Sequence, residues 1–224
     1  MRDIWIVIAA FNEEKSLGSV IDSLKAQGYD NIVVVDDGSS DRTFDIAKEK
    51  GAFALKHCIN RGQGAALQTG IDFALQNNAD IIVTFDADGQ HEASEIKDLI
   101  APLSEGYSVA LGSRFLDKRA NLPFSRKLIL KAGALLCRLF YGLKITDTHN
   151  GFRAFSRDAA EKIRITADRM EHGSQILDEI SKHKLKYKEV PVTIKYSSYS
   201  MKKGQSSMNA VKIFLKMVID KFFK

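Results

Sequence analysis

Two carboxylates one residue apart, Asp86 and Asp88, with the amide of Gln90 two residues further on, form the sharpest chemical feature of the sequence. Such groups suit a hard divalent cation, which takes oxygen ligands and completes its shell with substrate phosphates. A cation held there neutralises charge that develops on a departing diphosphate. Taken alone, the three residues also read as a solvated acidic turn. Other clusters change that balance. Asp36-Asp37-Gly38-Ser39-Ser40-Asp41 offers carboxylates that can accept from ribose hydroxyls or base N–H groups. In Asn12-Glu13-Glu14, Glu14 suits the positive end of a helix, and Glu13, nearer the preceding apolar run, is the ligand candidate. Asn60-Arg61-Gly62-Gln63-Gly64 is a glycine-bearing loop opening a helix, where anions are favoured. Its spacing is neither that of a dinucleotide fingerprint nor that of a P-loop.

The elements that must position these groups are legible from hydrophobic period. Ile4–Ala10, Asn31–Val35, Phe53–His57, Asp80–Phe85 and Tyr107–Leu111 read as short apolar strands. Helices are expected over Glu13–Gln27, from a Ser40 cap to Lys50, over Gly64–Gln76 and over Glu92–Ser104. Strand–helix alternation with apolar strands predicts an α/β fold, a parallel sheet covered by helices on both faces. Ligands then bind beyond the carboxyl ends of the strands. The clusters at Asn12 and Glu13, at Asp36 and Asp37, at Asp86 to Gln90, and at Arg114 all fall there. The alternation breaks in the second half. Lys127–Tyr141 is helical and apolar, Thr146–Arg153 is a loop, and Ala154-Phe155 borders a short strand. Glu171–His183 is a helix, Tyr187–Ile194 a strand, and Ser207–Lys224 an amphipathic helix.

A chain of 224 residues, 45% hydrophobic and 27% charged, has room for one large α/β domain and is not a disordered chain. The net charge of +5 is unevenly spread. Residues 1–113 carry net −9, residues 114–144 net +7 and residues 195–224 net +6. Such asymmetry marks a partner surface, nucleic acid or an anionic membrane, or simply a solvated basic face. The basic groups lie among apolar residues rather than beside stacking aromatics, and no recognition motif is present, which argues against nucleic acid. Cys58 and Cys137 form no metal spacing and read as buried or incidental thiols of a reducing compartment. The apolar run Ile4–Phe11 is too short to span a bilayer and lacks the flanks of a signal peptide. A cytoplasmic protein, peripheral on the cytoplasmic face of the membrane, is the resulting expectation.

These motifs, in order and joined by Gly112-Ser113-Arg114 and Asn150-Gly151-Phe152-Arg153, resemble the family 2 glycosyltransferases. Within them the chain looks closest to the dolichyl- or polyprenyl-phosphate sugar synthase branch. The resemblance implies a GT-A (Rossmann-like) catalytic domain over residues 1–195, with a loop and amphipathic C-terminal helix over 196–224. It implies that Ala10, Phe11 and Glu13 lie against the nucleotide base, where the family's usual proline and tyrosine are Ala10 and Phe11 here. Asp37 would accept from the base, with Asp36 nearby and Gly64 on the nucleotide side. Asp86 would face donor sugar or metal, and Asp88 and Gln90 would hold Mg²⁺ or Mn²⁺. Arg114 and Arg126 would meet an acceptor phosphate, and Asn150, Gly151, Phe152, Arg153 and His172 would form the acceptor side. Asn150 stands where lipid-linked members often carry Ser.

The activity so implied is inverting, metal-dependent transfer of a sugar from a UDP- or GDP-sugar to a polyprenyl phosphate. Transfer to a sugar hydroxyl of a growing glycan is the alternative. It needs a general base, and none is unambiguous among Asp147, His149 and His172. A nucleotidyltransferase would carry a glycine- and arginine-rich loop where Phe11-Asn12-Glu13-Glu14 stands. The basic segments suit docking on an anionic membrane. The tail helix could equally pack on the catalytic domain or on a second subunit, as a homodimer.

Overall fold

The structure, a computed structural model, describes residues 3–116, 138, 142–148, 150–169 and 171–195. The expected helices over Lys127–Tyr141 and Ser207–Lys224, with Arg126, His149 and the basic tail, lie outside the described residues, as does Cys137.

Among the described residues, seven strands form one sheet. In chain order they are β1 (Ile4–Ala10), β2 (Ile32–Asp36), β3 (Phe53–Lys56), β4 (Ile81–Thr84), β5 (Val109–Ser113), β6 (Arg153–Ser156) and β7 (Tyr187–Pro191). Their order across the sheet is β3-β2-β1-β4-β6-β5-β7. All neighbouring pairs are parallel except those of β6, which runs against both β4 and β5. Six α-helices accompany them among the described residues: α1 (Leu17–Ala26), α2 (Thr43–Glu49), α3 (Gln63–Gln76), α4 (Ile96–Ser104), α5 (Arg157–Lys162) and α6 (His172–Lys182).

Side chains alternate across a strand, so β1 feeds two cores. Trp5 and Val7 pack with Ala66, Leu67 and Ile71 of α3 and with Ile176 and Ile180 of α6. Ile6, Ile8 and Ala10 pack with Leu17, Ile21 and Leu24 of α1 and with Ile96 and Leu99 of α4. The sheet is therefore covered on both faces, as its apolar strands require.

Local chemistry shifts several boundaries. The first helix begins at Leu17, not Glu13. Asn12 has φ 54°, and the segment that follows is bound sideways to the β2–α2 loop. The Asn12 and Glu13 N–H groups donate to Ser39 Oγ and Thr43 Oγ1, and Asn12 Oδ1 accepts from Ser40 N–H. Ser40 is thus spent on Asn12 and does not cap α2. Asp41 Oδ1 accepts the Thr43 N–H instead. The expected helix from Glu92 is a short 3-10 turn, Ala93–Glu95, leading into α4. Helix α5, which the sequence reading missed, starts where the Ser156 side chain accepts from Ala159 N–H. Cys58 is exposed rather than buried.

Candidate active site

Because β1, β2, β4 and β5 point the same way, their carboxyl ends bring Phe11, Asp36, Asp86 and Arg114 to one edge. Antiparallel β6 begins at that edge, so Asn150–Arg153 enters the same site from the opposite direction. This explains how a motif preceding a strand joins motifs that follow strands.

On the β1–β2 side, Phe11 is 45% exposed while Ala10 is buried. The Glu13 carboxylate accepts from Ser16 Oγ at 2.7 Å. Asp37 is buried and committed to the chain itself. Its Oδ1 lies 2.7 Å from His57 Nδ1 and accepts from Arg61 N–H, and its Oδ2 accepts from Gly62 N–H at 2.6 Å. It thereby pins the glycine loop. Asp36 is fully buried and accepts from Ser39 N–H through Oδ1. Its Oδ2 has no hydrogen-bond partner among the described residues, although Lys56 Nζ lies 3.5 Å away. Gly64 faces the chain as well. Its N–H donates to the Asp168 carbonyl, and a Cβ there would lie 2.0 Å from the Ala167 carbonyl oxygen. The glycine serves close packing of α3 on the 167–168 segment.

At the end of β4, Asp86 Oδ2 lies 2.8 Å from His91 Nε2, and Oδ1 receives the longer contact of Gln63 Nε2 at 3.4 Å. A Cβ on Gly151 would sit 2.8 Å from Asp86 Oδ1, so glycine leaves room for this carboxylate. The Gly151 carbonyl is held by Thr84 Oγ1 at 2.6 Å. Asp88 is tied into its own turn by the backbone N–H and Nε2 of Gln90. Burial raises the Asp88 carboxyl, and neighbouring Asp86 raises it further. Burial also pushes Asp86 upward, but His91, His172 and Arg153 outweigh it and hold that carboxyl below its ordinary value. A cradle of this kind fits a divalent ion that shares its shell with a ligand: two adjacent carboxylates and an amide, one carboxylate kept ionised and with space beside it. Among the described residues no group of three or more His, Cys, Asp or Glu is placed to hold an ion unaided. Substrate phosphates would complete the shell.

Arg114 is locked to the buried Asp147, with Nε to Oδ2 at 2.7 Å and Nη2 to Oδ1 at 2.8 Å. Glu189 on β7 holds that loop, its Oε1 accepting from the N–H groups of Thr146 and Asp147 and from Thr146 Oγ1. Arg153 is different. It is 4% exposed, and among the described residues no carboxylate or carbonyl hydrogen-bonds or ion-pairs with its guanidinium. Burial lowers it to about 10, opposed by the more distant charges of Asp147 and Asp86, so it remains a cation at neutral pH. Beside it, His172 is buried at the start of α6. Its Nδ1–H donates to the Arg169 carbonyl at 2.8 Å, leaving Nε2 unprotonated. Burial, reinforced by Arg153, lowers this imidazole to about 4. Phe152 is fully buried and Asn150 nearly so, its Oδ1 accepting from Phe152 N–H. These two are framework, while Arg153 is the charged group of the loop.

His91, Gln63, Thr84 and Glu189 are the groups that sequence reasoning missed. The first two adjoin recognised motifs. Thr84 and Glu189 carry no local signal, since their partners lie 67 and 42 or more residues away.

The family model described as "Glycosyl transferase family 2" matches residues 5–164. A relative from Methanocaldococcus jannaschii, uncharacterized protein MJ1222, is 43% identical over 99% of this chain and 93% of its own. The UDP-N-acetylglucosamine–dolichyl-phosphate N-acetylglucosaminyltransferase of Methanococcus voltae is 35% identical over 99% of this chain and 97% of its own. Among solved structures, glucosyl-3-phosphoglycerate synthase from Mycobacterium tuberculosis, in complex with Mn²⁺ and UDP-glucose, superposes with a TM-score of 0.74. It covers 98% of this chain and 79% of that one at 20% identity, a likeness of fold. With the model spanning most of the sheet and close relatives end to end, the chain belongs to glycosyl transferase family 2.

Proposed function

We propose that this glycosyltransferase moves a sugar, with inversion, from a nucleotide-sugar donor to a polyprenyl phosphate, and that it uses Mg²⁺ or Mn²⁺. The observation that carries the choice of acceptor is the pairing at the α6 end of the site. Arg153 is a buried cation without an ion pair among the described residues, and its neighbour His172 is neutral at physiological pH. A cation suits an anionic acceptor, and an already ionised phosphate oxygen needs no strong general base. A sugar hydroxyl would need one, and Asp147 is spent on Arg114.

The phosphate oxygen attacks the anomeric carbon from the face opposite the nucleotide. One C–O bond forms, the bond to the nucleoside diphosphate breaks, and the electron pair leaves with the diphosphate. Asp86, Asp88 and Gln90 would hold the divalent ion, which supplies charge neutralisation for that leaving group. Arg153 holds the acceptor phosphate against the reacting carbon, with Arg114 and Arg126 as the further basic positions. Phe11 covers the base, and Asp36 and Asp37 shape its pocket, Asp37 by fixing the Asn60–Gly62 loop. The relatives that carry UDP-sugar or dolichyl-phosphate in their names support the same donor and acceptor classes.

A thermal-shift panel of UDP-, GDP- and TDP-sugars with and without Mn²⁺ tests the donor side. Ligands that bind the folded state raise its melting temperature. The expected result is a metal-dependent rise with one nucleotide class. No rise with any nucleotide sugar contradicts the proposal.

A further inference from the structure

His91 follows the Asp86-Ala87-Asp88-Gly89-Gln90 motif directly, yet the roles above leave it unused. Its side chain is 2% exposed. The ring lies 4.9 Å from that of Phe152 at an interplanar angle of 30°, and 5.4 Å from that of Phe85 at 70°. These contacts fix its orientation. Nε2 faces Asp86 Oδ2 at 2.8 Å, while Nδ1 is buried with no hydrogen-bond partner among the described residues. A buried N–H without an acceptor is costly, so the ring's hydrogen belongs on Nε2, where a carboxylate receives it. Asp86 Oδ2 is thereby occupied. Among the described residues, Oδ1 has only the 3.4 Å contact from Gln63 and the space left by Gly151.

We propose that His91 is a positioning residue for Asp86. It holds Oδ2 and so leaves Oδ1 to meet the divalent ion. The proposal rests on the reading of Asp86 as a donor-side ligand. It extends that reading to a residue that touches neither metal nor substrate. Hydrogen bonds that orient a ligating group are commonly worth about 10–100-fold in metal affinity.

The test is calorimetric titration of Mn²⁺ into the full chain saturated with UDP or GDP, whichever it binds, alongside melting temperatures without ligand. H91F keeps an aromatic ring between Phe85 and Phe152 but has no donor. H91Q restores an N–H donor. The expected result is a loss of about 10–100-fold in Mn²⁺ affinity for H91F without a fall in melting temperature, and recovery of most of that loss in H91Q. Wild-type Mn²⁺ affinity in H91F overturns the proposal, and so does a folded H91Q as weak as H91F. A wild-type chain that binds no Mn²⁺ in the presence of either nucleotide overturns the donor-site reading and this proposal with it. Imidazole ¹⁵N shifts of the wild type, assigned by difference with H91Q, give a check that survives misfolding of H91F. Hydrogen on Nε2 with bare Nδ1 is expected, and hydrogen on Nδ1 alone overturns the proposal.

Discussion

Arg153 keeps its charge in a place from which water is almost excluded, and it does so without an ion pair among the described residues. A buried charge without a partner opposes folding, so its value must be realised elsewhere. R153M is therefore expected to melt no lower than wild type while transfer falls about 10²-fold or more, the scale of a lost electrostatic contact to the reacting groups. Activity assays beside thermal melts check this. Full activity in R153M removes it from the acceptor site. Asp88, proposed to hold the divalent ion, gives the complementary case. It bonds within its own turn, so Asp88→Asn should leave the melt unchanged and abolish turnover. His172 makes a prediction about pH. Its folded-state value of about 4 lies below the ordinary 6.5, so the unfolded chain binds the extra proton first. Its contribution to stability is complete above pH 6.5 and is lost as pH falls toward 4, by roughly 3 kcal/mol at most. Denaturant midpoints at pH 7 and pH 4.5 should separate less in H172N than in wild type. Equal separation would show that His172 is not the group titrating.

Loops acquire their shape here from elements distant in sequence. Strand β7 holds the 144–148 loop through Glu189, whose carboxyl is raised by burial although three donors converge on it. That loop in turn holds Asp147, and Asp147 holds Arg114. E189A removes the acceptor shared by the Thr146 N–H, Thr146 Oγ1 and the part-buried Asp147 N–H. It should cost about 0.5–1.5 kcal/mol in a denaturation experiment and raise KM for the acceptor more than for the donor. Gly151 works at closer range. G151A would place a methyl group 2.8 Å from Asp86 Oδ1, so metal-dependent nucleotide binding should weaken more than the fold does. The strands and most helices were legible because hydrophobic period is a local signal. The polar turns at Asp36, Asp86 and Arg114 were legible because parallel strands end on one edge. The start of α1 was not, because Asn12 and Glu13 bond to Ser39 and Thr43, about 27 to 30 residues away. The commitment of Asp37 to the glycine loop, and that of Gly64 to the Ala167 carbonyl, are likewise tertiary facts. Sequence spacing alone cannot separate an acceptor facing ligand from one facing the chain.

Across the whole molecule, charge is divided between a half with net −9 over residues 1–113 and two basic segments of +7 and +6. The acidic half supplies β1 to β5 and the carboxylates of Asp36, Asp37, Asp86 and Asp88. The basic segments fall largely outside the described residues, and among those described no helix is long and apolar enough to cross a membrane. Lysines near an anionic leaflet contribute roughly 1 kcal/mol each, so the chain should pellet with anionic vesicles at low salt and release as salt rises. Absence of binding to such vesicles would contradict membrane docking. Purified chain incubated with labelled UDP- or GDP-sugars, Mn²⁺ and polyprenyl phosphate should move label into an organic-extractable, mild-acid-labile glycosyl phosphate. That transfer should stop on chelation. Label that reaches only a sugar hydroxyl, or none that reaches the lipid phosphate, would contradict the account.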